Sequence, residues 1–311
     1  MTVVLGLDTS NYTTSAALFD GTSGENFGRL LDVRPGELGL RQSDALFQHV
    51  KRLPALLETL LDKQEDIRAV GASTRPRAVE GSYMPCFLAG ESQGRGIAAA
   101  LGVPFYAHAH QQGHLAAAAW SAGRMELLDA PFLAWHLSGG TTELLLVRPE
   151  GTSVAAEIIG GTSDLSAGQL IDRTGVLLGL QFPAGKALDG LCSQADACCQ
   201  PKVKLNGLTF SLSGMENQVR ALAEKGKQKA VIARFAVDAV TDVVRRATLE
   251  ARRQYPGLPV LCSGGVASNT RLRQVLTETC GAVFAQPKYS TDNAMGTAVL
   301  TWRALEAGKR L

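Results

Sequence analysis

The sequence predicts an α/β fold made of two related domains, and three observations lead to this prediction. Near its start the chain reads as an apolar strand, a turn of small polar residues and a second strand, VVLGLDTSNYTTSAALFD. The same arrangement returns later as FLAWHLSGGTTELLLV. The length of 311 residues also exceeds the roughly 100 to 200 residues of a single-core domain. A duplicated α/β fold is therefore expected.

The patterns around the two hairpins agree with this architecture. Before the second hairpin we predict a helix at 45–62, a strand at 69–74, a turn at 90–96 and a helix at 94–102. After it we predict helices at 167–180, 228–254 and 292–308, and a strand, a Gly-Gly turn and a helix within 260–276. Glycine-rich turns let backbone N–H groups approach a phosphate, so we expect the two domains to face a nucleotide.

The composition narrows the class of protein. The formal net charge of +2 is too small to indicate a nucleic-acid-binding protein by itself. The first residues lack the basic and long apolar segments of a signal peptide, and no apolar run reaches the roughly eighteen residues of a membrane span. The six cysteines form no Cys-x-x-Cys pair. We therefore expect a cytoplasmic protein with reduced thiols and no membrane partner.

Three of the five histidines lie close together in the stretch YAHAHQQGHLAAAAW. His110 and His114 are four residues apart, so both imidazoles project from one face if the alanine-rich helix extends back through them. This is the geometry of a two-histidine metal clamp, and the alternative is a polar helix start exposed to solvent. A zinc protease would need a glutamate beside the first histidine, and the chain has Gln111 and Gln112 there.

Several motifs together resemble one enzyme family. The stretches HQQGH, SGGTTELLLV, AGQLIDRTGVLLGLQFPAGKALDGL, FSLSGMENQV, SGGVASNTRLR and STDNAMGTAVL occur in the order and approximate spacing of the tRNA threonylcarbamoyladenosine synthases, often called TsaD and formerly labelled O-sialoglycoprotein endopeptidases. The resemblance covers nearly the whole chain. It implies the duplicated actin, Hsp70 and sugar-kinase (ASKHA) fold, with two RNase H-like domains around a nucleotide cleft.

The resemblance also implies domain bounds and a metal site. We expect the first domain at 1–105, completed by the helix at 294–311, and the second at 106–293 with the metal and nucleotide sites. The metal ligands of the family correspond to His110, His114 and Asp292. Two neutral imidazoles and one carboxylate suit iron(II) or zinc and leave positions open for a substrate oxygen. The alternative for Asp292 is a cap of the last helix.

The nucleotide-binding residues carry over in the same way. The family's Ser-Gly-Gly hairpin, which lies against the phosphates of the substrate, matches His136, Leu137, Ser138, Gly139 and Gly140. The carboxylate of Asp172 is expected to accept hydrogen bonds from both ribose hydroxyls. Gly185, Asp189 and Asn269 match further ligand-contacting positions, although each is also typical of a turn or a helix cap.

The chain departs from the family pattern at several places. The first turn, DTSNYTT, keeps Asp8 but lacks the Cys, Asp and Glu that follow in the family, and the family's Gly-Pro-Gly loop is RPRAVEGSYMPC. Two glutamates of the family are Gln112 and Gln169, and a lysine is Glu216. These changes affect the expected acid–base chemistry and tRNA contacts more than the metal and nucleotide pockets.

The activity implied is transfer of a threonylcarbamoyl group from threonylcarbamoyl-AMP to the N6 amine of the adenine next to the anticodon in tRNA. Another enzyme would supply the adenylate, and accessory subunits similar to TsaB and TsaE are expected partners. Asp8 is the candidate general base. The alternatives are an ATP-binding ASKHA paralogue that hydrolyses or transfers phosphate, and a non-catalytic subunit. Arg245, Arg246, Arg252 and Arg253 on the long helix are interpreted as a solvated face.

Overall fold

The computed structural model describes residues 2–10, 12–33, 40–61, 66–195 and 200–308. Its strands are β1 (Thr2–Asp8), β2 (Thr13–Phe19), β3 (Gly24–Leu30), β4 (Asp66–Arg75), β5 (Phe105–Ala109), β6 (Phe132–Leu137), β7 (Thr142–Glu150), β8 (Ser153–Thr162), β9 (Leu205–Asn206), β10 (Thr209–Phe210), β11 (Val260–Ser263) and β12 (Val283–Phe284). Its α-helices are α1 (Gln42–Leu60), α2 (Phe87–Leu101), α3 (His110–Ser121), α4 (Ala167–Leu177), α5 (Gly185–Cys192), α6 (Ser213–Glu224), α7 (Lys229–Gln254), α8 (Thr270–Cys280) and α9 (Met295–Gly308). None of these helices combines the length and the hydropathy needed to span a bilayer.

The two sheets repeat one strand order. The first is β3-β2-β1-β4-β5, with β1 antiparallel to β2 and parallel to β4. The second contains β8-β7-β6-β11-β12, with β6 antiparallel to β7 and parallel to β11, and adds β10 and β9 at the β8 edge. The predicted duplication of an α/β fold is therefore confirmed by the topology.

Both predicted hairpins form, and each ends in polar residues. Asp8 pairs with Ser15 at the end of the first hairpin, and Leu137 pairs with Thr142 at the end of the second. Asn11, which belongs to the first turn, lies outside the described residues. The second turn is tight, because Ser138 N donates to Thr141 O at 2.8 Å.

The predicted turn at residues 90–96 is wrong, because α2 runs through it from Phe87. Its glycines serve packing instead. A Cβ on Gly94 would lie 2.9 Å from the Phe105 ring and 3.3 Å from Leu7, so only glycine lets this helix lie so close to the sheet. The helix ends at Gly102, which has a left-handed φ of 65°.

The described chain divides into two compact units whose bounds differ from the predicted domains. Unit 1 comprises Met1–Asp129, Arg148–Ala155 and Thr291–Leu311, and unit 2 comprises Ala130–Val147 and Ala156–Ser290. Residues 106–129 belong to unit 1 because α3 packs closely against α9. At their crossing a Cβ on Gly296 would lie 1.7 Å from Gly113 O. The three predicted metal ligands consequently lie in unit 1, and the predicted nucleotide-binding residues lie in unit 2.

The described cysteines are part of the protein interior. Cys86, Cys192, Cys262 and Cys280 are buried, and Cys198 and Cys199 lie outside the described residues. Burial raises the pKa of the Cys192 thiol to about 11, with smaller effects from nearby charges. Such a thiol is uncharged near neutral pH and packs as a small apolar group.

Candidate functional site

The two histidines of the predicted clamp open helix α3. Ala109 is extended, and the side chain of Gln112 reaches back so that its Oε1 accepts a hydrogen bond from Ala109 N at 2.9 Å. Gln112 Nε2 donates in turn to Val154 O at 2.9 Å. A glutamine can make this reverse contact at the third helical position as a glutamate can. The helix therefore begins at His110, and His110 and His114 share one face as predicted.

The metal-binding geometry is compact. His110 Nε2 lies 2.9 Å from His114 Nε2, and Asp292 Oδ1 lies 3.5 Å from the first nitrogen and 3.3 Å from the second. Two ligands bonded to one zinc or iron ion at about 2.1 Å stand about 3.0 to 3.4 Å apart in octahedral or tetrahedral geometry. The three side chains thus fit one transition-metal ion, and two nitrogens with one carboxylate are donors that such ions accept.

A buried carboxylate orients the first histidine. His110 Nδ1 lies 2.8 Å from Asp8 Oδ2, and only 1% of Asp8 is exposed. Since an ionised carboxylate only accepts hydrogen bonds, it holds a proton on Nδ1, so that Nε2, which faces His114 and Asp292, is the nitrogen available to a metal ion. Ser10 N donates to Asp8 Oδ1 at 2.9 Å, and Ser73 Oγ donates to Oδ2 at 2.5 Å.

The electrostatics favour a positive charge at this place. Burial lowers the pKa of His110, but the charge of Asp8 and the hydrogen bonds with Asp292 and Asp8 outweigh it and raise the pKa to about 10. Burial raises the pKa of Asp292, and its hydrogen bonds to His110 and His114 outweigh this and lower the pKa. Two carboxylates around two imidazoles attract a cation, whether a proton or a metal ion.

One side chain within the loop and one from a distant strand fix the loop that carries Asp292. Asn293 Oδ1 accepts from Met295 N at 3.1 Å, so Asn293 supplies the side-chain cap that was the alternative role for Asp292. Asn26 Oδ1 accepts from Ala294 N at 2.9 Å and ties the loop to β3. Asp292 itself faces the histidines.

In unit 2, the predicted phosphate-binding hairpin packs on the start of α4. Ser166 Oγ donates to Gly139 O at 2.6 Å, and a Cβ on Gly168 would lie 2.4 Å from Gly139 Cα. Ser166 and Gln169 form a reciprocal capping box at the helix start, with bonds of 3.0 and 3.1 Å. The hairpin tip is therefore held at the positive end of a helix dipole.

A second glycine turn adjoins the same hairpin. Gly264 has φ 97°, and a Cβ there would lie 2.2 Å from Leu137 O, so glycine is required by both conformation and space. By contrast, a Cβ on Gly139, Gly140 or Gly265 would meet nothing within 4 Å. The space beside these three glycines is therefore open, and the binding of a phosphate there remains a prediction. His136 lies one residue before the end of β6 and pairs with Ser263 of the neighbouring strand.

The other predicted nucleotide-binding residues link neighbouring elements. Asp172 Oδ1 accepts from Ala184 N at 2.8 Å, which holds the loop before Gly185 at the start of α5. Asp189 Oδ1 accepts from Asn269 Nδ2 at 2.8 Å, and Asn269 Oδ1 caps α8. The cap formed by Asn269 agrees with the alternative role expected for that residue, and the ligand contacts of Asp172, Gly185, Asp189 and Asn269 remain predictions.

The departures from the family pattern have structural explanations at three positions. Gln112 and Gln169 make capping contacts that need an acceptor oxygen but no charge. Glu216 accepts from Arg173 Nη1 and from Arg220 Nη2, each at 2.9 Å. The acidic side chain therefore has local basic partners. Asn26 and Ser73 were missed in the sequence, since neither lies within a motif and their contacts span much of unit 1.

Comparisons with known proteins place these features in context. A family model described as TsaD, tRNA N6-adenosine threonylcarbamoyltransferase, matches residues 39–299. An enzyme of that name from Thermus thermophilus is 34% identical over 98% of this chain and 94% of its own length. One from Rhizobium etli is 31% identical over 97% of this chain and 88% of its own length.

Two solved structures share the fold at low sequence identity. Component A of (R)-2-hydroxyglutaryl-CoA dehydratase from Acidaminococcus fermentans superposes with a TM-score of 0.57 and 15% identity over 98% of this chain and 100% of its own. Full-length HypF superposes with a TM-score of 0.61 and 14% identity over 98% of this chain and 47% of its own. The predicted ASKHA fold is confirmed by these likenesses. From the family model and the nearly full-length relatives, the chain belongs to the tRNA N6-adenosine threonylcarbamoyltransferase family.

Proposed function

We propose that this chain transfers the threonylcarbamoyl group of threonylcarbamoyl-AMP to the N6 amine of the adenine next to the anticodon in tRNA. The amine nitrogen forms a bond to the carbamoyl carbon, the bond from that carbon to the phosphate oxygen breaks, AMP leaves, and the amine loses one proton. The observation that carries the proposal is the triangle of His110, His114 and Asp292 within a chain of this family.

These three side chains would hold one iron(II) or zinc ion. When bound, the ion would orient and polarise the threonylcarbamoyl oxygen as a Lewis acid. Asp8 would keep His110 in the tautomer that presents Nε2, and Ser73 would hold the carboxylate of Asp8 through the 2.5 Å hydrogen bond. Such partners of metal-bound histidines support metal affinity by about 10- to 100-fold.

The geometry of Asp8 favours this positioning role over that of general base. Both of its carboxylate oxygens accept hydrogen bonds within unit 1, and its side chain is almost wholly buried. A general base must come within about 3 Å of the proton that it removes, or reach it through one water. We therefore propose Asp8 as a positioning residue.

The residues of unit 2 would hold the adenylate. In this proposal, the hairpin from His136 to Gly140 offers backbone N–H groups to the phosphate, and Asp172 accepts from the ribose hydroxyls. Gly185 leaves room for the ligand beside α5, since a Cβ there would meet nothing within 4 Å. Asp189 and Asn269 place the start of α8 beside that pocket through their shared hydrogen bond.

The reaction needs partners outside this chain. An adenylate-forming enzyme must supply threonylcarbamoyl-AMP, because its mixed anhydride requires activation by a nucleoside triphosphate. We propose that tRNA is the acceptor, that the reaction takes place in the cytoplasm, and that accessory subunits similar to TsaB and TsaE assist it.

The test combines metal analysis with transfer. The purified chain should contain about one iron or zinc ion, and His110→Ala/His114→Ala should lose it because two of three ligands are removed. Gln111→Ala, on the same turn of α3, is the control and should retain the metal. With threonylcarbamoyl-AMP, unmodified tRNA and any required accessory subunits, the native chain should form the modified nucleoside and AMP, and the double variant should form neither.

Other outcomes would support the alternatives. Undiminished metal in the double variant would refute the clamp. Metal-dependent release of phosphate from ATP, with no modified nucleoside even with the accessory subunits, would indicate a phosphate hydrolase. Release of neither product would indicate a non-catalytic subunit.

A further inference from the structure

A basic groove lies on unit 2, apart from the residues proposed to bind the metal and the adenylate. It is open, with a volume of about 670 Å³, and is formed by residues 200–203, α7 and α8. Its charged lining consists of Lys202, Arg245, Arg246, Arg271, Asp238 and Asp242. Four cationic side chains face two carboxylates, which leaves an excess of two positive charges.

The carboxylates hold the guanidinium groups in place. Asp242 accepts from Arg245 Nη2 at 2.9 Å and from Arg246 Nε at 2.8 Å. Asp238 accepts from Arg271 Nε at 2.8 Å. Ordered guanidinium groups lose less side-chain entropy when they bind a ligand, and their planar N–H array matches the oxygens of a phosphate. Arg245 and Arg246, predicted from the sequence to form a solvated helix face, are thus held in place by Asp242.

The groove also contains a polar atom that needs a partner. Thr241, between the two aspartates on α7, lines the groove and is 3% exposed. Its Oγ1 has no hydrogen-bond partner among the described residues. A buried hydroxyl without a partner is costly, so this atom is suited to a hydrogen bond with a group that enters the groove.

The position of the groove indicates its occupant. Arg271 follows Asn269 and Thr270, so the groove adjoins the start of α8, where Asp189 anchors the proposed adenylate pocket. We infer that the groove binds phosphates of the tRNA backbone, an inference that rests on the proposed function. An open groove suits an extended polyanion better than a small ligand, and phosphate contacts hold a nucleic acid in register for a reaction at one base.

Binding of labelled, unmodified tRNA by the full-length chain tests this inference. Fluorescence anisotropy over a series of salt concentrations would compare Arg245→Gln/Arg246→Gln with Arg252→Gln/Arg253→Gln, which makes the same charge change on the last turn of α7. The groove variant should bind tRNA about tenfold more weakly, and the slope of log K against log salt should fall by about 2. The control variant should change much less.

A second pair avoids the ion pairs of α7 and so guards against a folding defect. Lys202→Glu reverses an exposed charge in the groove, and Lys204→Glu makes the same change on an exposed residue outside it. Only the former should weaken tRNA binding. Equal effects within either pair, no effect of either groove variant, or no tRNA binding by the native chain would overturn the inference.

The assay separates the inference from the proposed function because it needs no adenylate. If the native chain binds tRNA through the groove but transfers nothing even with accessory subunits, the inference holds and the proposed function fails. If tRNA is modified while the groove variants bind it normally, the proposed function holds and the inference fails.

Discussion

The crossing of α3 and α9 predicts a large effect of one methyl group. In Gly296→Ala the new Cβ would lie 1.7 Å from Gly113 O and 2.9 Å from Ala117 N, whereas real Cβ contacts are essentially never under 3.0 Å. The two helices would have to separate by about 1.3 Å. Alanine gains up to about 1 kcal/mol of helix propensity over glycine, but overpacking of this kind costs about 1 to 3 kcal/mol. The variant should therefore have a lower free energy of unfolding than the native chain.

The same separation would disturb the metal site. Asp292 lies just before α9 and the histidines lie on α3, and Asp292 Oδ1 is now 3.3 and 3.5 Å from their Nε2 atoms. A shift of about 1.3 Å along these directions would give about 4.6 and 4.8 Å. Two ligands of one ion stand no more than about 4.2 Å apart, twice a bond of about 2.1 Å. Gly296→Ala should therefore lose the third ligand.

The assay is metal content by mass spectrometry together with the free energy of unfolding in urea. Gly96→Ala is the matched control, because Gly96 is an exposed residue within α2 whose Cβ would meet nothing within 4 Å. The control should be as stable as the native chain or slightly more so and should keep its metal. If Gly296→Ala also keeps one ion per chain and unfolds no more easily, the helix crossing does not set the ligand spacing.

Three further predictions concern polar side chains. Ser73→Ala removes the hydroxyl that donates to Asp8 and should weaken zinc affinity about 10- to 100-fold in a competition titration with a chelator. Burial lowers the pKa of His49 from 6.5 to about 4, so the folded chain keeps this imidazole neutral while the unfolded chain protonates it below pH 6.5. The free energy of unfolding, measured in urea at a series of pH values, should therefore fall by ~3 kcal/mol between pH 6.5 and pH 4. Asp172→Asn keeps an acceptor for Ala184 N but loses the charge, and should weaken AMP binding by about 1 to 3 kcal/mol in calorimetry.

Each of these has a contrasting outcome. Ser73→Thr, which retains the hydroxyl, should bind zinc more tightly than the alanine variant. Equal affinities of the two variants would show that the hydroxyl does not support zinc binding. His49→Gln should flatten the pH dependence, so an unchanged profile would assign it to other groups. Native protein that binds AMP and its 2′,3′-dideoxy analogue equally would argue against the ribose contact of Asp172.

The fold was largely predictable because its apolar patterns are local. Both hairpins and α7 follow from alternation and helical periodicity. The prediction for residues 90–96 failed because glycines and polar residues usually mark a turn. Within helix α2, the close approach of Gly94 to Phe105 explains why glycine stands there. Strand β3 was missed because GENFGRL is a polar and largely exposed edge strand, whose stability comes from pairing with β2.

The candidate site was predictable only in part, for a related reason. The spacing of His110 and His114 indicates a shared helix face, but nothing local connects them to Asp292, which the family order supplied. The contacts of Ser73 and Asn26 depend on which strands become neighbours. Hydrogen bonds such as Asp189 with Asn269 likewise join residues that only the folded sheet brings together.

The discontinuity of unit 1 has a consequence for protein synthesis. Helix α9 packs against β1, where a Cβ on Gly6 would lie 2.5 Å from Ala298 N, and the whole of unit 2 is translated between the two. The nascent chain therefore exposes one face of its first sheet to the ribosome surface and to chaperones until the last segment emerges. A chain truncated before Asp292 could complete unit 2. It would lack the helix α9 that covers the first sheet of unit 1, and it would lack the third ligand of the metal site.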